Sequence, residues 1–237
     1  MQEVVIVDVV RSAVGRKNGT LGRVHPTDVL GPILMKLLER NGLESHQVDQ
    51  VLGGCINKLG AQGMNVVRTA WLAHGGVEST PCITIDSQCG SSQEASTLAT
   101  GVLAAGMADI VVACGVENMS RLPIGSDSVG LSPDLGKPVA RSYFGNYEFT
   151  SQFEGAERIA EKYNITRDET DGLGLESQLR AATARTEGRF ASQIVPLEVP
   201  IFDEDGKRTD DTTVFDTDEV PRDTSRQALA GLKPVAR

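Results

Sequence analysis

The chain has 237 residues, of which 40% are hydrophobic and 23% are charged, and its formal net charge is −9. These proportions are typical of a folded globular protein and exclude a wholly disordered chain. The acidic balance, without any basic run among aromatic residues, argues against a nucleic-acid surface. No stretch approaches the roughly 20 apolar residues of a membrane helix, and the first residues lack the features of a signal peptide. We therefore expect a cytoplasmic protein with no membrane span.

The cysteine and histidine content argues against disulfides and metal sites. In a chain of this length without a secretory signal, cysteines indicate free thiols in a reducing compartment. No two cysteines lie at metal-ligand spacing and the histidines are scattered, so we expect no metal. The residues concerned are Cys55, Cys82, Cys89 and Cys114, with His25, His46 and His74.

The first elements begin almost at the first residue. Residues 4–10 form a β-branched run (VVIVDVV) that predicts a buried strand. Apolar residues at helical spacing from Leu30 predict a helix, with Thr27 or Asp28 as its N-cap. Residues 51–54 (VLGG) then predict a strand that ends in a flexible glycine turn.

The next four elements continue the alternation. The pattern predicts helices over residues 64–71 and 95–103, and strands over Cys82–Ile85 and residues 110–113. Strands that alternate with helices in this way predict an α/β fold, in which a mixed, mostly parallel sheet is flanked by helices.

The character of the sequence changes after Met119. Residues 121–150 are rich in Gly, Pro, Ser and Asp and predict an irregular region, and two helices follow. The second helix opens with a capping-box pattern at Thr166 and Glu169. Residues 195–220 alternate strand-like pieces with acidic turns. We therefore predict a boundary near Met119, with domains at residues 1–119 and 120–237.

The most informative stretch surrounds Cys89. A strand runs toward this residue and a helix begins shortly after it, so the cysteine lies at the carboxyl end of a strand, where open α/β sheets bind ligands. Unpaired amides at a helix N-terminus favour the thiolate, which is the attacking species. Gly90, Ser91 and Ser92 are small and leave room for an acyl group. Buried cysteine is nevertheless common, so this pattern alone leaves open whether Cys89 is a nucleophile or a core residue.

Several motifs in one order resemble those of the thiolase family. The run 88–95 (QCGSSQEA) is similar to the thiolase nucleophile motif, and further similarity extends along the whole chain. The other matching runs are 11–16 (RSAVGR), 62–65 (QGMN) followed by Arg68, 114–120 (CGVENMS), 167–169 (RDE), 188–190 (GRF) and 232–234 (LKP).

The resemblance implies a layered thiolase-like fold and an acyltransferase activity. It implies that Cys89 takes the acyl group from an acyl-CoA or 3-ketoacyl-CoA, and that the Cys89 amide helps to hold the thioester oxygen. It also implies that residues 120–237 form an α+β loop domain that covers coenzyme A, with Arg222 near the nucleotide. Coenzyme A thioesters would be substrates, without a permanently bound cofactor, and a homo-oligomer would be the expected assembly, with a role in fatty acid β-oxidation or other lipid metabolism.

The sequence also departs from the family pattern. Asp86 stands where Asn is usual and Ser92 where Gly is usual, and residues 151–155 lack the His-Met pair of short-chain biosynthetic thiolases. No histidine occurs in the Gly-His-Pro setting that activates the nucleophile, and no second cysteine has the family's glycine-rich context. Both belong to the family's C-terminal half, as does the strand that completes the N-terminal sheet. We therefore expect an N-terminal half that does not turn over alone.

Two other interpretations remain open from the residues. A ketoacyl synthase-like condensing enzyme places its nucleophile on a similar turn but acts on carrier-protein thioesters. A non-catalytic assembly subunit would keep the fold as an interface. The long segment 120–237 favours a thiolase over the synthase.

Overall fold

The computed structural model describes residues 3–128 and 133–236. These residues fall into two compact units, one built from residues 3–128 and 192–219, the other from residues 133–191 and 220–236. A single boundary after residue 119 would have assigned residues 192–219 to the second segment, whereas they pack with the first unit. The assignment of residues 120–237 to a loop domain that covers coenzyme A stays a prediction.

The first unit contains the predicted parallel sheet. Its central strand pairs in parallel with one strand on each side, so that Val51 lies opposite both Cys82 and Val112. Helices precede and connect the strands, as the alternation predicts, and the α/β fold class is confirmed. In chain order the elements are α1 (Pro26–Arg40), β1 (Gln50–Gly54), α2 (Val66–Ala73), β2 (Cys82–Ile85), α3 (Ser91–Ala104) and β3 (Val111–Gly115).

The two faces of the sheet are buried by different helices. Successive side chains of a strand point to opposite faces, so neighbouring residues of β1 enter different clusters. Val51 is fully buried in the cluster that contains Trp71 of α2 and residues of α1. Leu52 packs with Ala95 and Ala99 of α3. The sheet is therefore the middle layer of an α/β/α arrangement. Helices α1 and α2 cover one face and α3 covers the other.

The predicted strand at residues 4–10 is wrong. Among the described residues the segment forms no ladder with another strand, and Arg11, which follows it, makes only an isolated bridge to Ile194. A strand requires a hydrogen-bonded neighbour, which this segment lacks among those residues. Four of its apolar side chains are exposed, among them Val5 at 68% and Ile6 at 85%, whereas Val4 and Val10 are half-buried. Residues 10–17 instead line a groove of about 620 Å³ whose other wall includes residues 112–120.

Two local predictions in the first unit are also corrected. The N-cap of α1 is His25 rather than Thr27 or Asp28, because the His25 ring accepts the Thr27 N–H while Pro26 occupies the first turn. Gly53 and Gly54 belong to β1 and do not form a flexible turn. Gly53 is needed there because an added Cβ would lie 2.4 Å from a Val67 methyl carbon.

A β-hairpin completes the first unit. Strands β4 (Leu197–Phe202) and β5 (Arg208–Phe215) pair antiparallel, as the strand-like pieces of this region predict. The buried side of the hairpin packs with Ala13, Val24 and Ile33. The chain after β5 is held to the N-terminal segment, where Arg11 forms a two-point ion pair with Asp218 at 2.7 and 3.0 Å.

The second unit is mainly helical. Its helices are α4 (Gln152–Tyr163), α5 (Arg167–Thr186) and the short α6 (Arg226–Ala230), with 3₁₀ turns at Pro133–Leu135 and Arg141–Gly145. The predicted capping box is confirmed, because Thr166 Oγ1 accepts the Glu169 N–H while the Glu169 carboxylate accepts the Thr166 N–H. No helix in the described part of the chain is long and apolar enough to cross a membrane.

Candidate active site

The carboxyl ends of the three parallel strands meet at one edge of the sheet, and Cys89 follows the end of β2. Strand β2 ends at Ile85 and α3 begins at Ser91, so the predicted strand–turn–helix arrangement is confirmed. Gly90 is the N-cap of α3, and Cys89 itself is exposed. Glu94 places a carboxylate in the first turn of the helix, where it suits the helix dipole.

The turn that carries Cys89 is fixed by two side chains. Gln88 has a left-handed backbone with φ of 52°, which is uncommon for a residue with a side chain. Asp86 Oδ1 accepts the Gln88 N–H at 2.9 Å. From the helix side, the buried Ser91 hydroxyl accepts the Ser87 N–H at 2.9 Å and donates to the Gln88 carbonyl at 2.5 Å. The residue before Cys89 is therefore held on both sides.

The first turn of α3 lies directly against two strand ends that carry glycine. A Cβ added to Gly54 would lie 2.4 Å from the Ser92 nitrogen and 2.6 Å from the Ser91 carbonyl carbon. A Cβ added to Gly115 would lie 2.0 Å from Ser92 Oγ. All three distances are far shorter than van der Waals contact, and those at Gly54 are to backbone atoms. Glycine at these strand ends therefore allows the helix start to approach the sheet this closely.

The loop after β1 is held by a carboxylate that follows β3. Glu117 Oε2 accepts the Ile56 N–H at 2.8 Å, and Glu117 Oε1 accepts the Gln62 amide at 2.7 Å. Gln62 Oε1 in turn accepts the Asn118 N–H at 2.6 Å. These bonds join two of the sequence motifs, at residues 62–65 and 114–120. Within this network the buried Asn57 Oδ1 has no hydrogen-bond partner among the described residues.

An ion pair links this loop to the Cys89 turn. Lys58 Nζ donates to Asp86 Oδ2 at 2.8 Å, and both side chains are about one-third exposed, at 34% and 30%. The bond to Lys58 is the main reason that the pKa of Asp86 lies below its ordinary value, and the Gln88 amide acts in the same direction. Asp86 is therefore a carboxylate at neutral pH.

Cys89 differs from the other three cysteines in its surroundings. Burial raises the pKa of Cys55 to about 12, and the nearby Glu117 adds to this effect. Burial likewise raises the pKa of Cys114 to about 12 and raises that of Cys82. Burial therefore makes these three thiols harder to ionise than an ordinary thiol, whereas Cys89 is the exposed one of the four cysteines.

The other predicted binding residue lies in the second unit. Arg222 is exposed, and its backbone N–H donates to Gln178 Oε1 of α5 at 2.8 Å. Cys89 belongs to the first unit, and the role of Arg222 near a nucleotide stays a prediction.

The three histidines lie at the ends of helices or in a short turn. His25 caps α1, and His74 follows the last residue of α2, with its Nε2 3.4 Å from Asp28 Oδ1. His46 lies in a 3₁₀ turn at Ser45–Gln47. Across residues 3–128 and 133–236, no group of three or more His, Cys, Asp or Glu side chains could hold a metal ion.

The sequence predicts the position of Cys89 between a strand and a helix, but it does not reveal most of the contacts that hold this turn. The Gly53-Gly54 pair was a usable signal, since glycine inside a strand often marks a close approach of backbone. In the sequence, Asp86 stands out only because the family usually has Asn at this position. Its partner Lys58 lies 28 residues earlier, and no local pattern connects the two.

Comparisons with known proteins place these features in one family. The family description "Thiolase, N-terminal domain" matches residues 4–237. The chain is 38% identical over 241 residues to the steroid 3-ketoacyl-CoA thiolase FadA6 of Mycobacterium tuberculosis, which covers 99% of this chain and 56% of that protein. It is 36% identical to an acetyl-CoA acetyltransferase of Allochromatium vinosum, over 99% of this chain and 59% of the relative.

A solved structure agrees with the sequence matches. The crystal structure of the Bacillus anthracis acetyl-CoA acetyltransferase superposes with a TM-score of 0.80 at 33% identity, covering 96% of this chain and 57% of that one. The layered fold and the cysteine at the head of α3 therefore define an α/β protein of the thiolase type. The chain belongs to the thiolase family, and it corresponds to the N-terminal half of the curated relatives it matches. It spans a little over half of their length.

Proposed function

We propose that this chain supplies the acyl-accepting half of a coenzyme A thiolase, with Cys89 as the residue that carries the acyl group. The observation that carries the proposal is the placement of the one exposed cysteine at the head of α3, while the other three are buried or half-buried and burial raises the pKa of each. The relatives are thiolases and acetyl-CoA acetyltransferases by name, which supports acyl transfer as the reaction class.

The proposed chemistry has two transfers. In thiolytic cleavage, the Cys89 thiolate attacks the 3-keto carbon, the bond between C2 and C3 breaks, and the departing carbon takes up a proton to give acetyl-CoA. The thiol of a free coenzyme A then attacks the acyl-Cys89 thioester, and the Cys89 sulfur leaves as a thiolate. In the reverse direction, acyl-CoA acylates Cys89 and the enolate of acetyl-CoA attacks the thioester. Amides at the start of α3 suit the developing oxyanion.

Complete turnover requires groups that we assign to a second half. The resemblance implies a histidine that activates the nucleophile and a second cysteine that moves the proton at the α-carbon, and this chain holds neither in the family's sequence context. Catalytic groups that act together are grossly non-additive, so a partial set gives no proportional fraction of the rate. We propose that the chain alone acylates slowly and does not turn over, and that a complementing half restores turnover.

The wider context follows from the same proposal. We propose a cytoplasmic homo-oligomer that acts in fatty acid β-oxidation or related degradation of acyl chains. Coenzyme A thioesters are its substrates and no permanently bound cofactor is needed. The absence of the His-Met pair at residues 151–155 favours an acyl chain larger than acetoacetyl.

Incubation of the purified chain with a radiolabelled acyl-CoA tests the proposal. We expect label on the peptide that contains Cys89, none on Cys89→Ser, and wild-type labelling of the matched control Cys55→Ser. Mass spectrometry locates the label and a thiolysis assay measures turnover. Label on another cysteine, or none on any, would refute an acyl-Cys89 role and favour a non-catalytic assembly subunit. Robust turnover by the chain alone would refute the need for a second half.

A further inference from the structure

Asp86 lies in the chain between the end of β2 and Cys89, and its two carboxylate oxygens accept hydrogen bonds from different donors. Oδ1 accepts the N–H of Gln88, the residue that adopts the left-handed backbone directly before the cysteine. Oδ2 accepts from Lys58 Nζ. One side chain thus connects the shape of the turn to a positive charge on a different loop.

Lys58 belongs to a loop that is itself anchored. Two residues earlier, the Ile56 N–H donates to Glu117, and four residues later the Gln62 amide donates to the same carboxylate. The ammonium group also lies 3.4 Å from the Ile56 carbonyl oxygen. The ion pair with Asp86 therefore ties the Cys89 turn to a part of the molecule that is fixed by β3.

The charge of the pair matters as much as its geometry. A carboxylate three residues before a cysteine disfavours the thiolate, because like charges repel. An ammonium group in contact with that carboxylate offsets the repulsion. The two side chains are partly exposed, so the effect is screened by solvent and salt and is moderate.

We propose that Lys58 and Asp86 are a positioning pair for Cys89, a role that rests on the proposed function of Cys89. Asp86 holds the Gln88 amide and so fixes the turn. Lys58 neutralises Asp86, so that the carboxylate which shapes the turn does not suppress the thiolate. Neither side chain touches the acyl group in this assignment.

A double-variant cycle tests the electrostatic part. The rate of Cys89 alkylation by iodoacetamide is measured from pH 6 to pH 10 by mass spectrometry on the full chain, and each variant is compared with the wild type under the same conditions. We expect Lys58→Gln to slow alkylation at pH 7 by about three- to tenfold and to move the profile to higher pH. In the double variant Lys58→Gln/Asp86→Asn, the alkylation rate at pH 7 should return to within about twofold of the wild-type rate. The rate in Lys58→Arg should equal the wild-type rate. The charged groups Glu94 and Glu117 also lie at this edge of the sheet. They are present in the wild type and in every variant, so their effect on the alkylation rate cancels in the cycle.

A second pair of variants tests the geometric part. Asp86→Asn keeps an oxygen that accepts the Gln88 N–H, whereas Asp86→Ala removes it. We expect Asp86→Ala to lower the rate of acyl transfer to Cys89 by about tenfold or more, and Asp86→Asn to retain most of it. Circular dichroism and tryptophan fluorescence check that each variant is folded.

The outcomes separate this inference from the proposed function. If wild-type Cys89 alkylates normally but never accepts an acyl group, the proposed function fails while the pH profiles still decide the role of the pair. Superimposable profiles for the wild type and Lys58→Gln, or a double variant no better than Lys58→Gln, would overturn the electrostatic role. A folded Asp86→Ala protein that acylates like Asp86→Asn would overturn the geometric role. Should Lys58→Gln fail to fold, Asp86→Asn alone tests the electrostatic role, because it leaves the Lys58 charge unpaired. Alkylation of Cys89 at pH 7 should then be faster in Asp86→Asn than in the double variant, and equal rates would overturn the role.

Discussion

Gly54→Ala should disturb the start of α3 from the sheet side. The added Cβ would lie 2.4 Å from the Ser92 nitrogen and 2.6 Å from the Ser91 carbonyl carbon, and both are backbone atoms that cannot rotate away. Ordinary contact needs about 3.4 Å, so the end of β1 and the first turn of α3 must separate by about 1 Å. Cys89 lies two residues before that turn and should move with it.

The expected magnitudes follow from the displacement. Overpacking of this kind costs about 1–3 kcal/mol in the free energy of unfolding. A shift of about 1 Å at a reacting group can cost up to 10²-fold in rate, so acyl transfer to Cys89 should fall by about ten- to a hundredfold. Gly115→Ala should cost less, because the atom 2.0 Å from its Cβ is Ser92 Oγ, which can rotate to another position.

Urea titration measures the loss of stability through the single tryptophan. Trp71 is fully buried between α2 and the sheet, so its fluorescence reports the unfolding of the first unit. Labelling of Cys89 by radiolabelled acyl-CoA measures the rate. Gly101→Ala is the matched control in the same helix, since its Cβ would meet nothing within 4 Å. It should raise stability by about 0.5–1 kcal/mol and leave labelling unchanged.

One result would refute this reasoning. If Gly54→Ala unfolds at the wild-type urea concentration and labels at the wild-type rate, then α3 tolerates the added methyl group without cost. The close approach of helix and strand would then have no bearing on where Cys89 sits.

Three further predictions concern stability away from the cysteine. The pKa of Asp218 is held below its ordinary value by Arg11, so the pair stabilises the fold above about pH 4 and loses this contribution as the pH falls further. Asp218→Asn should therefore lower the free energy of unfolding by about 1–2 kcal/mol at pH 7 and by much less at pH 3 in urea titrations; an equal loss at both would contradict the assignment. Thr166→Ala removes the cap of α5 and should cost about 1 kcal/mol locally, seen as faster hydrogen exchange at the Glu169 amide, while Thr166→Ser should exchange like the wild type. Gly174→Ala, which has open space in the middle of α5, should stabilise that helix by about 0.5–1 kcal/mol in circular dichroism melts, and a lower midpoint would show a contact that the structure does not contain.

The elements that sequence patterns predict well are those fixed by local rules. The strand at Cys82–Ile85 has the bounds that its apolar run indicates, and α3 begins at Ser91, shortly after Cys89 as predicted, although the apolar pattern marks it only from residue 95. The capping box at Thr166 depends on residues three apart and was found for that reason. Local patterns alone, without tertiary contacts, therefore predict that Cys89 lies between a strand and a helix.

Most of the failures concern contacts between distant residues. Residues 4–10 have strong strand character, but a strand also needs a neighbour, and composition does not reveal one. The hydrogen bond between Gln62 and Glu117 spans 55 residues, and the bond between Lys58 and Asp86 spans 28. The cap at His25 was missed because histidine is an uncommon N-cap, although Pro26 after it was a usable signal.

The solvent-facing segment at residues 4–10 has a consequence for how the protein behaves at high concentration. A short β-branched run with one charge and no proline has the composition of segments that assemble into sheets between molecules. The net charge of −9 keeps copies apart in dilute buffer, but that repulsion weakens as ionic strength rises. We therefore expect colloidal stability to decline with added salt, and turbidity to develop first in concentrated samples.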